Sequence, residues 1–315
     1  MKAAYYARFG GPELLNIGDL PMPELAPGEV LVRVRAAGVN SLDWKVREGL
    51  LKSRPYAFPI IPGWEAAGEV VSVGEGVTGI APGTRVMAFT KKPVFQWGAC
   101  AEYVTAPVEQ IAPTPSQLDD TEAAALPVAG LTAWQALVEF ARLEPGQTVL
   151  IHAAAGGVGS WAVGIARQRG ATVIGTARPD NADYVRGLGA AAVIDYHSPD
   201  VKEQIMAHAP EGVDVVLDAV GGAALSLSYE VVKPGGVIVG LVDRPDLDQS
   251  ARKDLSATWL MVRPDGKQMA ELAALVASGE IRLPEITALP LEQIAEAHRR
   301  SETGHVRGKL VLTIS

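Results

Sequence analysis

The sequence predicts an α/β protein in which a mostly β segment is followed by a doubly wound parallel sheet. Short strands cut by turn residues run to about Pro115, short apolar strands alternate with helical stretches after it, and a helix and a strand end the chain. We predict a β domain over residues 1–120, a parallel-sheet domain over 121–262, and a return segment over 263–315 that completes the first domain.

The first segment has the pattern of strands with one solvated face. Apolar and basic residues alternate in VLVRVRA at residues 30–36. Further strand-like stretches, at residues 63–73 and 83–89, lie between glycines and prolines. This segment is therefore predicted to be mostly β, with many turns.

The middle segment has strands that are apolar throughout, as in a parallel sheet covered on both faces. Helices are predicted at residues 158–169 and 182–188. The predicted strands are residues 148–151, 171–177, 191–196, 213–220, 235–242 and 257–262.

The last segment predicts one helix and a terminal strand. The helix covers residues 266–278 and is ended by Gly279. The strand covers residues 308–314, and we expect it to rejoin the first domain, which would make the parallel-sheet domain an insertion.

Composition excludes several classes of function. Hydrophobic residues make up 48% and charged residues 20% of the 315 residues, and the net charge of -8 argues against nucleic-acid and anionic membrane partners. The single cysteine, Cys100, favours a reducing compartment. The first residues lack the apolar core of a signal peptide, and no apolar run reaches the ~20 residues of a membrane span. We expect a soluble, cytoplasmic protein.

A glycine-rich turn follows the strand at 148–151 and leads into a helix, as in the Rossmann dinucleotide fingerprint. Gly156 would let the backbone approach a pyrophosphate, and Gly159 would let helix and strand pack closely. The predicted phosphate contacts are Ala155, Gly156, Gly157 and Val158 at the helix N-terminus. Within a repeating β–α series, this pattern favours a ligand site over a merely tight connection.

The next strand favours NADP(H) over NAD. NAD sites carry an acidic residue ~20 residues beyond the glycines, whereas this strand ends in Thr176, Ala177 and Arg178. Arg178 could pair with a 2′-phosphate, or it could be a solvated surface charge. Asp180 follows, where it could cap the next helix.

Several motifs in the same order resemble the medium-chain dehydrogenase/reductase superfamily, in its zinc-free quinone oxidoreductase (zeta-crystallin-like) branch. The resemblance covers nearly the whole chain and implies a GroES-like catalytic domain, a Rossmann domain, a cofactor cleft between them and a homodimer. Its motifs are residues 37–43, 62–68, 98–103, 130–133, the glycine turn, 188–190, 193–196 and 307–309.

The residues predict no metal site. Zinc-bearing relatives carry a cysteine at the position of Asn40, a histidine at that of Trp64, a further cysteine near Val128, and a four-cysteine structural loop. The five histidines of this chain show no ligand spacing. Glu65 remains where the family has a carboxylate, but one carboxylate does not hold zinc.

The resemblance also implies the remaining site residues. Asn40 and Thr132 would lie near the nicotinamide, Asp43 in the polar wall beside it, and the Tyr196 hydroxyl at the phosphates. Leu241 and Val242 would flank the nicotinamide, and Lys309 would close over the cofactor. Structural alternatives remain open: turn or helix caps for Asn40, Asp43 and Thr132, a strand-end aromatic for Tyr196, and a solvated charge for Lys309.

The acceptor site departs from the quinone reductase pattern. Lys45 and Leu51 stand where tyrosines are expected, and Tyr56 is the nearby hydroxyl that could replace them as a proton donor, or it could simply pack. Trp64, Phe95 and Trp97 could form an aromatic wall for a flat acceptor, or core packing. Cys100 is predicted to be a small buried residue.

These features predict an NADPH-dependent reductase of a quinone or an α,β-unsaturated carbonyl compound. An enoyl-thioester reductase is an alternative, since Lys45, Arg47, Lys52 and Arg54 could attract a phosphorylated carrier. A non-catalytic NADPH-binding sensor or stress protein is another, because no proton donor is unmistakable.

Overall fold

The computed structural model describes residues 1–52 and 54–315, apart from the side chain of Arg252. The chain forms two compact units. Unit 1 comprises Met1–Leu131, Pro264–Ser278 and Glu285–Ser315, and unit 2 comprises Thr132–Arg263 and Gly279–Pro284.

The elements follow one another along the chain in three stretches. The first contains β1 (Lys2–Tyr5), β2 (Asn16–Asp19), β3 (Glu29–Val39), α1 (Ser41–Arg47), β4 (Tyr56–Ile61), β5 (Glu65–Val73), β6 (Arg85–Phe89), β7 (Phe95–Trp97), β8 (Tyr103–Pro107), β9 (Ile111–Pro113), α2 (Asp120–Ala124) and α3 (Pro127–Trp134), which a π-helical turn (Gln135–Phe140) extends. The second contains β10 (Thr148–Ile151), α4 (Gly157–Gln168), β11 (Thr172–Ala177), α5 (Ala182–Leu188), β12 (Ala192–Asp195), α6 (Val201–His208), β13 (Val213–Asp218), α7 (Ala223–Val231), β14 (Val232–Gly240), α8 (Leu247–Arg252) and β15 (Ser256–Trp259). The third contains α9 (Gly266–Ala277), β16 (Ile286–Pro290), α10 (Ile294–Glu302) and β17 (Lys309–Thr313), and short 3₁₀ turns occur at Pro12–Leu14, Val108–Gln110, Pro179–Asn181 and Leu291–Gln293.

The main sheet of unit 1 has seven strands in the order β16-β17-β3-β5-β6-β9, with β8 also paired to β3. In β3 the valines at 30, 32 and 34 are buried while Arg33 and Arg35 are exposed, as the sequence alternation predicts. The terminal strand β17 lies antiparallel to β3, with Leu310 opposite Val39. The end of the chain thus joins the sheet that the first segment begins.

Unit 2 contains six parallel strands in the order β12-β11-β10-β13-β14-β15. Successive residues Val149, Leu150 and Ile151 of β10 are fully buried, so both faces of the sheet are covered. The strand order reverses between β10 and β13. In doubly wound folds this switch point is where ligands bind.

The predicted α/β fold class is confirmed. The element limits differ by a few residues: β12 ends at Asp195 rather than at 196, and the last strand of unit 2 covers 256–259 rather than 257–262. Helix α9 ends near Gly279, which adopts a positive φ of 80° as a helix-terminating glycine does. Among the described residues, no helix is both long enough and apolar enough to cross a membrane.

Candidate functional site

Glu65 is the centre of a buried polar cluster in unit 1. It begins β5, and its side chain is fully buried. Its Oε1 accepts hydrogen bonds from Asn40 Nδ2 at 2.8 Å and Lys309 Nζ at 2.6 Å, and its Oε2 accepts one from the Val128 amide at 2.6 Å. Both carboxylate oxygens therefore have partners, as a buried charge requires.

Lys309 supplies the positive charge of this cluster. Only 3% of the residue is exposed. Besides Glu65, its ammonium donates to the Val39 carbonyl at 3.0 Å and to Asn40 Oδ1 at 2.9 Å. All three donors of the ammonium are used, so closing over a cofactor would require breaking these bonds. The Asn40 side chain donates from Nδ2 to Glu65 and accepts at Oδ1 from Lys309, so the orientation of its amide group is fixed.

Asp43 holds the start of helix α1. Its carboxylate accepts hydrogen bonds from the backbone N–H of Asn40 at 2.8 Å and from the backbone N–H of Gly63 at 2.9 Å. Burial raises the pKa of Asp43 to about 7. The two backbone hydrogen bonds and the charge of Lys309 act in the opposite direction but are outweighed. Asp43 thus fixes the backbone on either side of the Glu65 cluster.

An aromatic recess that is partly open to solvent lies beside this cluster in unit 1. Trp64 and Phe95 meet edge to face at 5.3 Å between ring centres, and Trp97 also lines the recess. The three predicted wall aromatics are thus brought together. Sequence reasoning missed Tyr6 and Thr90, which also line it; no local motif singles out either hydroxyl.

Tyr56 is 42% exposed and packs edge to face against Phe9 and Phe58. It is not among the described residues that line the aromatic recess. Cys100, in contrast, is 1% exposed, as predicted, and burial raises the pKa of its thiol.

The glycine turn of unit 2 leaves an uncapped helix N-terminus. Gly156 is the N-cap of α4, and no side chain caps it. A Cβ on Gly156 would lie 3.3 Å from the Ala153 carbonyl oxygen, whereas one on Gly159 would lie 2.2 Å from it. Gly159 is therefore required for the turn itself, while the first amides of the helix, at Gly157 and Val158, have no acceptor within the helix.

A buried histidine next to this turn lies between strand β11 and helix α7. His152 Nδ1 lies 3.1 Å from Thr176 Oγ1, and its Nε2 lies 3.3 Å from Ser228 Oγ. Burial lowers the pKa of His152 to about 4, although Asp218 opposes the shift. The predicted cofactor residue Thr176 is 2% exposed and is engaged by this ring. No spacing of residues in the sequence indicates this cluster.

Arg178 and Tyr196 meet at the ends of β11 and β12, where Arg178 Nε donates to the Tyr196 hydroxyl at 3.1 Å. Tyr196 is 40% exposed. Asp180 lies in a 3₁₀ turn, and Asn181 is the N-cap of α5. Asp180 is therefore not the N-cap of α5, because the 3₁₀ turn moves the helix start beyond it.

The other predicted cofactor residues of unit 2 are Leu241, Val242 and Thr132. Leu241 and Val242 directly follow β14. The Leu241 amide donates to the Asp218 carbonyl at 2.8 Å, and Val242 is 44% exposed. Thr132 is 7% exposed, in α3.

One of the four basic residues that could attract a phosphorylated carrier is not available for that role. Arg47 is fully buried and donates to Glu48 and Glu302 at 2.6 Å each and to the Gly10 carbonyl at 2.9 Å. It cannot serve a phosphorylated carrier, because its donors hold α1 to α10. Lys45 and Lys52 lie over the rings of Trp44 and Phe9.

Two family models match the chain. One, described as an alcohol dehydrogenase GroES-like domain, matches residues 26–116, and one described as a zinc-binding dehydrogenase matches residues 188–312. Together they include parts of both units.

Three curated relatives illustrate the likeness. Quinone-oxidoreductase QR1, chloroplastic, of Triphysaria versicolor is 33% identical, with 99% of this chain and 98% of the relative covered. NADPH-dependent alkenal/one oxidoreductase, chloroplastic, of Arabidopsis thaliana is 31% identical, with 99% and 79% covered. The synaptic vesicle membrane protein VAT-1 homolog of Homo sapiens is 38% identical over 73% of this chain, which spans only 58% of that relative's length.

Solved structures agree with these relatives. The quinone oxidoreductase from Coxiella burnetii has a TM-score of 0.90 at 35% identity, covering 100% of this chain and 99% of its own. A mycobacterial protein complexed with NADPH has a TM-score of 0.88 at 28% identity, covering 100% of both chains.

The donor set does not fit the zinc that the second family description implies. A catalytic zinc takes about three ligands from Cys, His and carboxylate side chains. Here Asn40 and Trp64 stand at the ligand positions, and Glu65 is bonded to an ammonium. Among the described residues, no group of three or more His, Cys, Asp or Glu could hold a metal ion.

Proposed function

The chain belongs to the medium-chain dehydrogenase/reductase superfamily, and we propose that it is an NADPH-dependent reductase of quinones and α,β-unsaturated carbonyl compounds that works without zinc. The observation that carries this proposal is the Glu65 cluster, in which the Lys309 ammonium and the Asn40 side-chain amide both donate to Glu65 Oε1 and the Val128 backbone amide donates to Oε2. The names of two relatives, a quinone oxidoreductase and an NADPH-dependent alkenal/one oxidoreductase, agree with it.

Charge and chemistry support the proposed zinc independence. A dication beside the Lys309 ammonium would meet like charge in a buried place, which is unfavourable. Alcohol oxidation benefits from a Lewis acid, whereas a conjugated acceptor already delocalises the incoming electron pair. The task of the protein is then positioning and the exclusion of water.

The nucleotide site is proposed in unit 2, where bound NADPH would supply the hydride. The backbone at Ala155, Gly156, Gly157 and Val158 would bind the pyrophosphate at the uncapped start of α4. Arg178, supported by Tyr196, would bind the 2′-phosphate and give the preference for NADPH over NADH.

The remaining assignments rest on the resemblance. We propose that Asn40, Thr132, Leu241 and Val242 contact the nicotinamide end and that Thr176 shapes the ribose pocket. For Lys309 the hydrogen bonds support an orienting role on Asn40.

Catalytic roles are proposed for Asn40, Asp43 and Tyr56. Asp43 would fix the Asn40 backbone. Tyr56 would deliver a proton to the reduced enone, with solvent as the alternative donor. Tyr56→Phe tests the two: a loss of kcat by about 10²-fold on an enone, in the range of general acids, supports Tyr56, and a change below about threefold supports solvent.

The experiment that tests the function is steady-state NADPH oxidation with quinones, enals and enoyl thioesters. Turnover of quinones or enals supports the proposal. Turnover of enoyl thioesters alone would favour the thioester reductase, and cofactor binding without turnover would favour a sensor.

A homodimer and a cytoplasmic location complete the proposal. Strand β15 pairs only with β14 at one end of the six-stranded sheet of the described chain, and Met261 beyond it is 47% exposed. A lone buried cysteine suits a reducing compartment. Sedimentation velocity and fractionation of tagged cells test the two statements; a monomer, or a tag confined to an organelle, would contradict them.

A further inference from the structure

Two buried hydroxyls of unit 1 have no hydrogen-bond partner. Tyr6 is fully buried and Thr90 is 3% exposed. The Tyr6 hydroxyl and Thr90 Oγ1 lack any protein partner among the described residues. A buried polar atom without a partner costs free energy, so native proteins rarely keep one unless water or a ligand completes it.

Both residues line the same aromatic recess. The lining residues of the recess thus combine apolar rings, those of Trp64, Phe95 and Trp97, with two hydroxyls that have no hydrogen-bond partner among the described residues. A ligand site of this kind has mostly apolar walls and a few polar groups that fix orientation.

The charges around the recess are already engaged. Asp43 also lines it, but its two oxygens accept from backbone amides. Lys92 lines it too, and its ammonium donates to Thr105 Oγ1 and lies 3.5 Å from Glu29. Burial raises the pKa of the Tyr6 hydroxyl, and the nearby Asp43 raises it further. The hydroxyl therefore stays protonated and can donate a hydrogen bond. The free polar groups are neutral, which suits a neutral oxygen.

We propose that the recess binds the flat ring of the acceptor and that the Tyr6 and Thr90 hydroxyls donate hydrogen bonds to its carbonyl oxygens. This inference rests on the proposed function in that the acceptor is a quinone or a conjugated carbonyl compound. It makes Tyr6 and Thr90 the residues that select oxygen-bearing acceptors over hydrocarbons of the same shape.

The test compares two flat six-membered rings that carry the same two methyl groups: para-xyloquinone, which has two carbonyl oxygens, and para-xylene, which has none. Their dissociation constants are measured by ligand-observed NMR, with and without saturating NADP⁺, because the oxidised cofactor cannot reduce the quinone. The proteins are the native chain, Tyr6→Phe, Thr90→Val and the double variant. Tyr5→Phe is the matched control, since Tyr5 is the preceding residue and is not among the described residues lining the recess.

The native protein is expected to prefer the quinone. Each single substitution should weaken quinone binding about tenfold, the effect of one hydrogen bond of typical strength, and should leave para-xylene binding unchanged. Tyr5→Phe should change neither. The thermal midpoint of Tyr6→Phe should not fall, because the lost hydroxyl makes no protein hydrogen bond.

An unchanged preference in the double variant would overturn the inference and show that the hydroxyls meet only water. So would a native protein that binds neither probe. If Tyr6→Phe does not fold, Thr90→Val alone decides. The proposed function fails separately: quinone binding that depends on the hydroxyls, without any NADPH oxidation, would refute the reductase and leave the recess assignment standing.

Discussion

The Lys309 ammonium donates to Glu65 Oε1 at 2.6 Å, and the two side chains are 3% and 0% exposed. The residues are 244 positions apart, on β17 and β5. The return of the chain end to the first sheet therefore places a buried cation against Glu65 and the Asn40 side chain.

Lys309→Met should lower the free energy of unfolding by about 3–5 kcal/mol, because it leaves the Glu65 charge buried without its cation. Urea denaturation measures this. The control is Lys2→Met, which removes the exposed Lys2–Glu292 pair and should lower the free energy of unfolding far less, because water screens that pair. Equal losses in the free energy of unfolding would show that the buried pair stabilises the fold no more than the exposed pair does.

Gly156→Val should abolish NADPH binding while the protein stays folded. Its Cβ meets only the Ala153 oxygen at 3.3 Å, but the side chain would fill the space of the pyrophosphate. The matched variant Gly159→Ala should instead destabilise the fold, since its Cβ would lie 2.2 Å from the same oxygen. Calorimetric titration and thermal unfolding separate the two effects. A folded Gly156→Val protein that still binds NADPH would reduce the turn to a structural role.

Arg178→Ala should weaken NADPH binding at least about tenfold, the value of a charge-assisted hydrogen bond, and should leave NADH binding nearly unchanged. Arg186→Ala, which removes an exposed arginine paired with Asp183 on α5, is the control. Equal affinity of the native protein for both cofactors would contradict the assignment of Arg178.

The raised pKa of Asp43, about 7 against an ordinary 3.8, predicts a pH effect on stability. The folded state binds the proton more tightly, so the stabilisation is complete below about pH 4 and is lost as the pH rises through about 7. Relative to Asp43→Asn, the native protein should lose up to about 1.4 kcal/mol per pH unit in this interval. Urea unfolding at several pH values measures the difference. A flat difference would mean that the two backbone amides outweigh burial.

The sequence was sufficient for the parts of the fold that depend on local pattern. The apolar runs of unit 2 located its strands, and the glycine turn located the start of α4, because strand burial and phosphate-binding turns leave short-range signatures. The Glu65–Lys309 pair leaves no such signature. A lysine that becomes buried beside a distant carboxylate has the same local sequence pattern as a lysine exposed to solvent. The same holds for Arg47, whose partner Glu302 is on the distant α10, and for the Tyr6 and Thr90 hydroxyls, whose lack of partners is visible only in three dimensions.

The most direct test of zinc-independent NADPH-dependent reduction is one paired measurement on one purified sample. Zinc content is determined by elemental analysis, and NADPH oxidation with a quinone is followed before and after incubation with a strong chelator. We predict no stoichiometric zinc and an unchanged rate of NADPH oxidation. One zinc per chain, with activity that the chelator removes and added zinc restores, would contradict it.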